Sequence, residues 1–80
     1  LKVRVMYFAS YRELAGVSEE VICMAEGLSV DYLVNVVEER HEPLSKAGRI
    51  LVALNGEFTK PNSVLKDGDV VALFPPVSGG

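Results

Sequence analysis

Polar and apolar residues alternate from Lys2 to Phe8, with Val3, Val5 and Tyr7 on one side of an extended chain and Lys2, Arg4, Met6 and Phe8 on the other. That period of two predicts a strand with one buried face. Ser10-Tyr11-Arg12-Glu13 has the Ser-x-x-Glu spacing of a capping box, and Gly16 stands where a helix-terminating glycine belongs, so a short helical turn is expected between them, anchored to the core by Leu14. Val17 to Met24 predicts a second strand, antiparallel to the first. Both of its faces are apolar, Val21 with Cys23 and Ile22 with Met24, so alternation alone does not choose the buried one.

Ser29 is a good helix N-cap, and Leu28 and Leu33 have the spacing of a hydrophobic staple around it. Val30, Leu33, Val34 and Val37 then follow the i, i+3, i+4, i+7 stripe of an amphipathic helix. Asp31, Asn35, Glu38 and Glu39 fall largely outside the stripe, and Pro43 closes the helix near His41 or Glu42. Valine is a poor helix former, so this helix depends on packing its stripe against a sheet. Ile50 to Leu54 is a short apolar run followed by Asn55-Gly56, the dipeptide that best supports a type I′ hairpin turn, with Glu57-Phe58-Thr59 as the return strand. After a tight turn at Lys66-Asp67-Gly68-Asp69, Val70 to Phe74 forms the last strand, with Val71 and Leu73 on one face. Pro75 and Pro76 end the pairing.

Two hairpins separated by one helix, whose stripe can cover a single sheet face, predict an α+β layer: a mixed sheet with one helix packed across it. This is the ubiquitin-like β-grasp, in which the first and last strands lie side by side in parallel. Met6, Phe8 and Phe74 are then expected on the sheet face away from the helix. The β-grasp domain is expected to span residues 1–74 and a flexible tail residues 75–80.

Composition narrows the function. Eighty residues make one small domain, and such a domain hides only about 60% of the surface its unfolded chain exposes, which leaves few walls for a deep cleft and disfavours an autonomous enzyme. With 49% hydrophobic and 24% charged residues, the chain is expected to fold and not to be disordered. Eight Lys and Arg against eleven Asp and Glu lack the basic excess that nucleic acid demands. The single cysteine, Cys23, excludes an intramolecular disulfide and a multi-cysteine zinc site, as fits a reducing cytoplasm. Apolar runs such as Val70–Phe74 are far shorter than the roughly 20 residues of a membrane-spanning helix, and no basic-then-apolar signal opens the chain. Because the chain starts at Leu1, a few leading residues are expected to be missing.

The strongest functional feature is Phe74-Pro75-Pro76-Val77-Ser78-Gly79-Gly80. A proline pair leaves the sheet stiffly, and two glycines finish the tail without side chains. Gly-Gly can lie extended in a channel too narrow for any Cβ and deliver a bare carboxylate to another protein's active site. Gly-Gly alone is a weak motif; its place after the last strand of a β-grasp pattern gives it weight, partly by fold analogy.

Tyr7-Phe8-Ala9 with Arg12-Glu13-Leu14, Asp67-Gly68-Asp69 with Val71-Ala72, and the tail heptapeptide closely resemble the MoaD family of sulfur carriers, the small subunits of molybdopterin synthase. The resemblance covers nearly the whole chain, and the tail is its specific part. It implies that a MoeB-like adenylyltransferase, using ATP and magnesium, adenylates the carboxylate of Gly80, and that a persulfide sulfur then displaces the adenylate to leave a thiocarboxylate. A MoaE-like large subunit would accept Pro75, Pro76, Val77, Ser78 and Gly79 into its pocket. There the thiocarboxylate would sulfurate cyclic pyranopterin monophosphate towards molybdopterin, within a heterotetramer of two small and two large subunits. By the same resemblance this chain binds no cofactor or metal of its own, supplies the acyl end, and leaves the catalytic residues to its partners.

Phe8 and Phe74 resemble the family's aromatic contacts to the large subunit, and Phe58 corresponds to an apolar contact on the neighbouring strand; ordinary core packing is the competing account of all three. Arg12 and Glu13 are candidate contacts for the activating enzyme, although the capping box accounts for Glu13 by itself. His41 suits the negative end of a helix and has no second ligand nearby in sequence. Cys23 is expected to be a small buried thiol, and Glu38, Glu39 and Glu42 a solvated helix end. Two other uses stay open: a ubiquitin-like modifier joined through Gly80 to lysines, and a β-grasp adaptor whose tail is incidental.

Overall fold

The alternating first segment becomes the centre of a five-stranded sheet. The structure, a computed structural model, describes residues 1–76. Its elements run β1 (Lys2–Tyr7), α1 (Ser10–Ala15), β2 (Glu19–Cys23), α2 (Val30–Arg40), α3 (Glu42–Ser45), β3 (Leu51–Leu54), β4 (Glu57–Phe58) and β5 (Val70–Phe74). The strand order is β2-β1-β5-β3-β4, with β1 and β5 parallel and every other neighbouring pair antiparallel. This is the mixed-sheet β-grasp arrangement that the pattern of hairpins and helix predicts.

One face of the sheet carries Val3, Val5, Tyr7, Ile22, Val71 and Leu73, all buried, and α2 lays Val30, Leu33 and Val37 across them. Burying side chains of this kind is worth roughly 1.5–3 kcal/mol each against leaving them exposed, which outweighs the poor helix propensity of the valines. Ser29 caps α2 as expected, accepting the Tyr32 N–H at 3.2 Å. The 61–63 loop satisfies two more first-turn donors: Val30 N–H reaches the Ser63 carbonyl and Asp31 N–H the Pro61 carbonyl, both at 2.9 Å. Asn55 and Gly56 take φ of 52° and 87°, the positive pair that a type I′ turn needs. The Asn55 side chain also crosses to β5, where its Oδ1 accepts the Val70 N–H at 2.9 Å.

Several expectations are corrected. The N-cap of α1 is Ala9, at φ 52°, and not Ser10; the tight exit from β1 draws Ser10 into the helix as its first residue, so no capping box forms. Leu14 is 38% exposed, and Tyr11 is the anchor in its place, buried with its hydroxyl donating to the Arg49 carbonyl at 2.9 Å. In β2 the register Val3↔Ile22 puts Ile22 and Met24 inside, so Cys23 is exposed and not buried. Pro43 does more than end α2: it sits in the first turn of α3, whose Leu44 is fully buried. Gly16 caps α1 in the left-handed conformation as expected.

Candidate functional site

The strand registers decide which side chains share the sheet face opposite α2. Met6 lies beside Ala72, Ala72 beside Ala53, and Ala53 beside Phe58, while Leu51 pairs with Phe74. Phe8 follows β1 directly, and its N–H donates to the Leu73 carbonyl at 3.0 Å, which fixes it next to β5. Two alanines therefore form a low floor between large apolar side chains. Across it the Phe74 ring stands 5.6 Å from Phe58 at 65° and 6.4 Å from Phe8 at 80°, both edge-to-face. Phe58 is 73% exposed and Phe8 38%, with Phe74 half-buried between them. Three aromatic rings in a row on an uncovered face form an apolar patch of the kind that marks a partner site.

The tail begins inside this patch. Phe74 is the last residue of β5, Pro75 is half-buried and Pro76 exposed, so the chain leaves the sheet from among the rings. Arg12 is exposed on α1, the element that follows Phe8. Val77, Ser78, Gly79 and Gly80 lie outside the described residues. Among the described residues no group of His, Cys, Asp and Glu side chains could hold a metal ion, and no helix is long and apolar enough to cross a membrane.

The sequence reading missed a polar cluster at the other edge of the sheet. Glu20 occupies an inward position of β2, opposite Val5, where alternation calls for an apolar residue. Its carboxylate accepts the Tyr7 hydroxyl at 2.6 Å, the Arg40 guanidinium at 2.6 Å and pairs with His41 Nε2 at 2.5 Å. Burial opposes ionisation of Glu20, but hydrogen bonds from Tyr7, His41 and Arg40 outweigh it and hold its pKa at about 2. Burial, then the hydrogen bond to Glu20, pushes the Tyr7 hydroxyl well above the usual phenol range. The cluster ties the C-terminus of α2 to β1 and β2, and His41 gains its partner from β2 and not from its own helix. An acid at an inward strand position, together with Arg40 and His41 ending the helix, was the signal that could have found it.

Glu42 is exposed and pairs with Lys46 at 3.6 Å, Glu39 is exposed, and Glu38 is half-buried, so the three are a helix end with no shared geometry for acid–base work.

Known proteins share this chain's sequence and fold. The ThiS family model matches residues 5–80. The molybdopterin synthase sulfur carrier subunit of Chlamydomonas reinhardtii is 39% identical, over 100% of both chains. Among solved structures, a putative molybdopterin converting factor subunit 1 from Pyrococcus furiosus has a TM-score of 0.89 at 41% identity, covering 96% of this chain and 99% of its own. Small archaeal modifier protein 1 of Haloferax volcanii has a TM-score of 0.85 at 26% identity, covering 95% and 98%. A chain of the protein-protein complex of subunits 1 and 2 of the molybdopterin-converting factor from Helicobacter pylori has a TM-score of 0.71 at 28% identity, covering 100% of both.

Proposed function

The chain belongs to the ThiS family, and from that premise we propose that it is the sulfur carrier subunit of a molybdopterin synthase. The observation that carries the reading is the row of Phe8, Phe74 and Phe58 at the root of the Pro75-Pro76 exit: an apolar handle placed where a partner that holds it also receives the tail. The Helicobacter pylori complex supports a large subunit as that partner.

The chemistry follows from the Gly80 carboxylate. Free carboxylate is a poor acyl donor, so a MoeB-like enzyme transfers AMP from ATP to one carboxylate oxygen, releasing pyrophosphate. A persulfide sulfur then attacks the carbonyl carbon; the carbon–oxygen bond to AMP breaks, AMP leaves, and the sulfur stays as a thiocarboxylate once the donor's sulfur–sulfur bond is reduced by a thiol. In the large subunit the thiocarboxylate gives up that sulfur to cyclic pyranopterin monophosphate, and water returns the carboxylate. Gly79 and Gly80 suit a channel too narrow for a Cβ, the fixed φ of Pro75 and Pro76 stiffens the exit from β5, and Arg12 is an exposed cation on α1 open to a partner. The working assembly is a heterotetramer of two small and two large subunits. A free, exposed Cys23 supports a reducing compartment such as the cytoplasm.

Intact mass tests this. Incubated with ATP and a native-host extract, the chain gains the difference between sulfur and oxygen, and a Gly80 deletion does not. An unshifted mass in an extract that thiolates a known carrier overturns the reading. The fold shared with the archaeal modifier favours one second reading, attachment of Gly80 to lysines; Gly-Gly remnants on lysines of other proteins would establish it.

A further inference from the structure

The exit from β1 carries a strained residue. Ala9 has φ 52° and ψ −133°, the conformation of the first central residue of a type II′ turn, which glycine adopts freely and a residue with a Cβ adopts only under strain. The turn runs from Phe8 to Tyr11 and is closed by the Tyr11 N–H, which donates to the Phe8 carbonyl at 3.0 Å. The other described residues with positive φ are Asn55 and five glycines, types that tolerate it.

Strain of this kind persists where the surroundings over-determine the backbone. On one side of Ala9 the Phe8 N–H is held by the Leu73 carbonyl at 3.0 Å. On the other, Tyr11 is buried and its hydroxyl donates to the Arg49 carbonyl at 2.9 Å. The chain must pass from the outer face of the sheet to the core between Phe8 and Tyr11, and a tight turn does that. Those anchors account for how the strain is tolerated. They do not account for the side chain, since glycine makes the same turn without strain and the exposed Ala9 adds nothing to the core.

The neighbours of Ala9 supply the missing reason. It directly follows Phe8, at one end of the row of rings, and its exposed methyl extends the apolar surface that the row presents. We propose that the Ala9 methyl is a contact for the partner that holds Phe8, Phe74 and Phe58, an inference that rests on the reading above of that partner as the large subunit. The partner then offers a shallow apolar seat to the corner of the turn. Folding stability and binding therefore ask for different residues at this position: glycine suits the free chain, alanine the complex.

The test compares three full chains in thermal unfolding and in calorimetry with the large subunit: the parent, Ala9→Gly, and a chemically synthesised chain with D-alanine at position 9. Ala9→Gly is expected to raise the unfolding midpoint by roughly 5 °C, because relief of the strain exceeds the freedom that glycine adds to the unfolded chain. The same variant should bind about fourfold more weakly, the worth of one buried methyl group. A purely structural residue would move stability and affinity in the same direction. For D-alanine this φ and ψ are the mirror image of an ordinary extended conformation, so it relieves the strain without loosening the turn and aims its methyl elsewhere. It is expected to bind as weakly as the glycine chain. The inference is overturned by an unchanged or lowered midpoint in Ala9→Gly, or by equal affinity of parent and Ala9→Gly. Parental affinity in the D-alanine chain also overturns it, by making stiffness of the turn the cause. A parent that does not bind the large subunit overturns the partner reading as well, whereas a failure confined to the variants leaves that reading standing.

Discussion

The two faces of the sheet are built from alternate residues of the same strands and have opposite fates. Val71 and Leu73 of β5 are fully buried under α2, whereas Phe74, one residue further, stands between two exposed rings. Both faces are apolar, so hydrophobicity does not separate them. What separates them is supply: among the described residues one helix is long enough to cover a face, and the other face is left with its aromatics uncovered. An apolar residue on this sheet is thus read by its parity in the strand.

The comparison breaks most sharply on the inner face. Leu73→Ala, at a fully buried position, is expected to cost about 2–5 kcal/mol of folding stability by denaturant titration; a loss near zero would mean that α2 does not seal this face. The inner edge should also respond to acid. Glu20 has its pKa lowered from 4.5 to about 2 in the fold. Its contribution is therefore fully present above pH 4.5 and disappears as pH falls from 4.5 to 2, an effect of at most about 3 kcal/mol. Stability of Glu20→Gln measured across that window should fall less steeply than that of the parent.

On the outer face, Phe74→Ala should weaken binding to the large subunit by roughly 1–3 kcal/mol in calorimetry. Its cost in stability should be smaller than that of Leu73→Ala, and the reverse order would make Phe74 a core residue. The smallest effect is expected from Ser29→Ala, which removes the cap that holds the covering helix. It should cost about 1 kcal/mol in thermal or denaturant unfolding and leave partner binding unchanged.

Much of this was legible along the chain because its signals are local. Alternation in β1 marked Val3, Val5 and Tyr7 as inward, Ser29 marked the start of α2, and Asn55-Gly56 marked the hairpin. The errors fall where two local signals compete. Ser10 and Glu13 have capping-box spacing, but the exit from β1 turns at Ala9 with positive φ and leaves Ser10 nothing to cap. Leu14 is the more hydrophobic residue, yet Tyr11 lies on the side of α1 that faces the core and finds a carbonyl for its hydroxyl.

The sequence by itself determined the order of the strands and of α1 and α2, though not α3, the inward parity of β1 and β5, and the Pro-Pro exit, because each rests on spacings of a few residues that any extended or helical chain must obey. Only tertiary structure decided which face of β2 is buried, that Glu20 draws Tyr7, Arg40 and His41 together, and that Phe8, Phe58 and Phe74 form one row. Those pairings join residues up to 66 positions apart, as Phe8 and Phe74 are, and their register is set by strand neighbours, which no local spacing encodes.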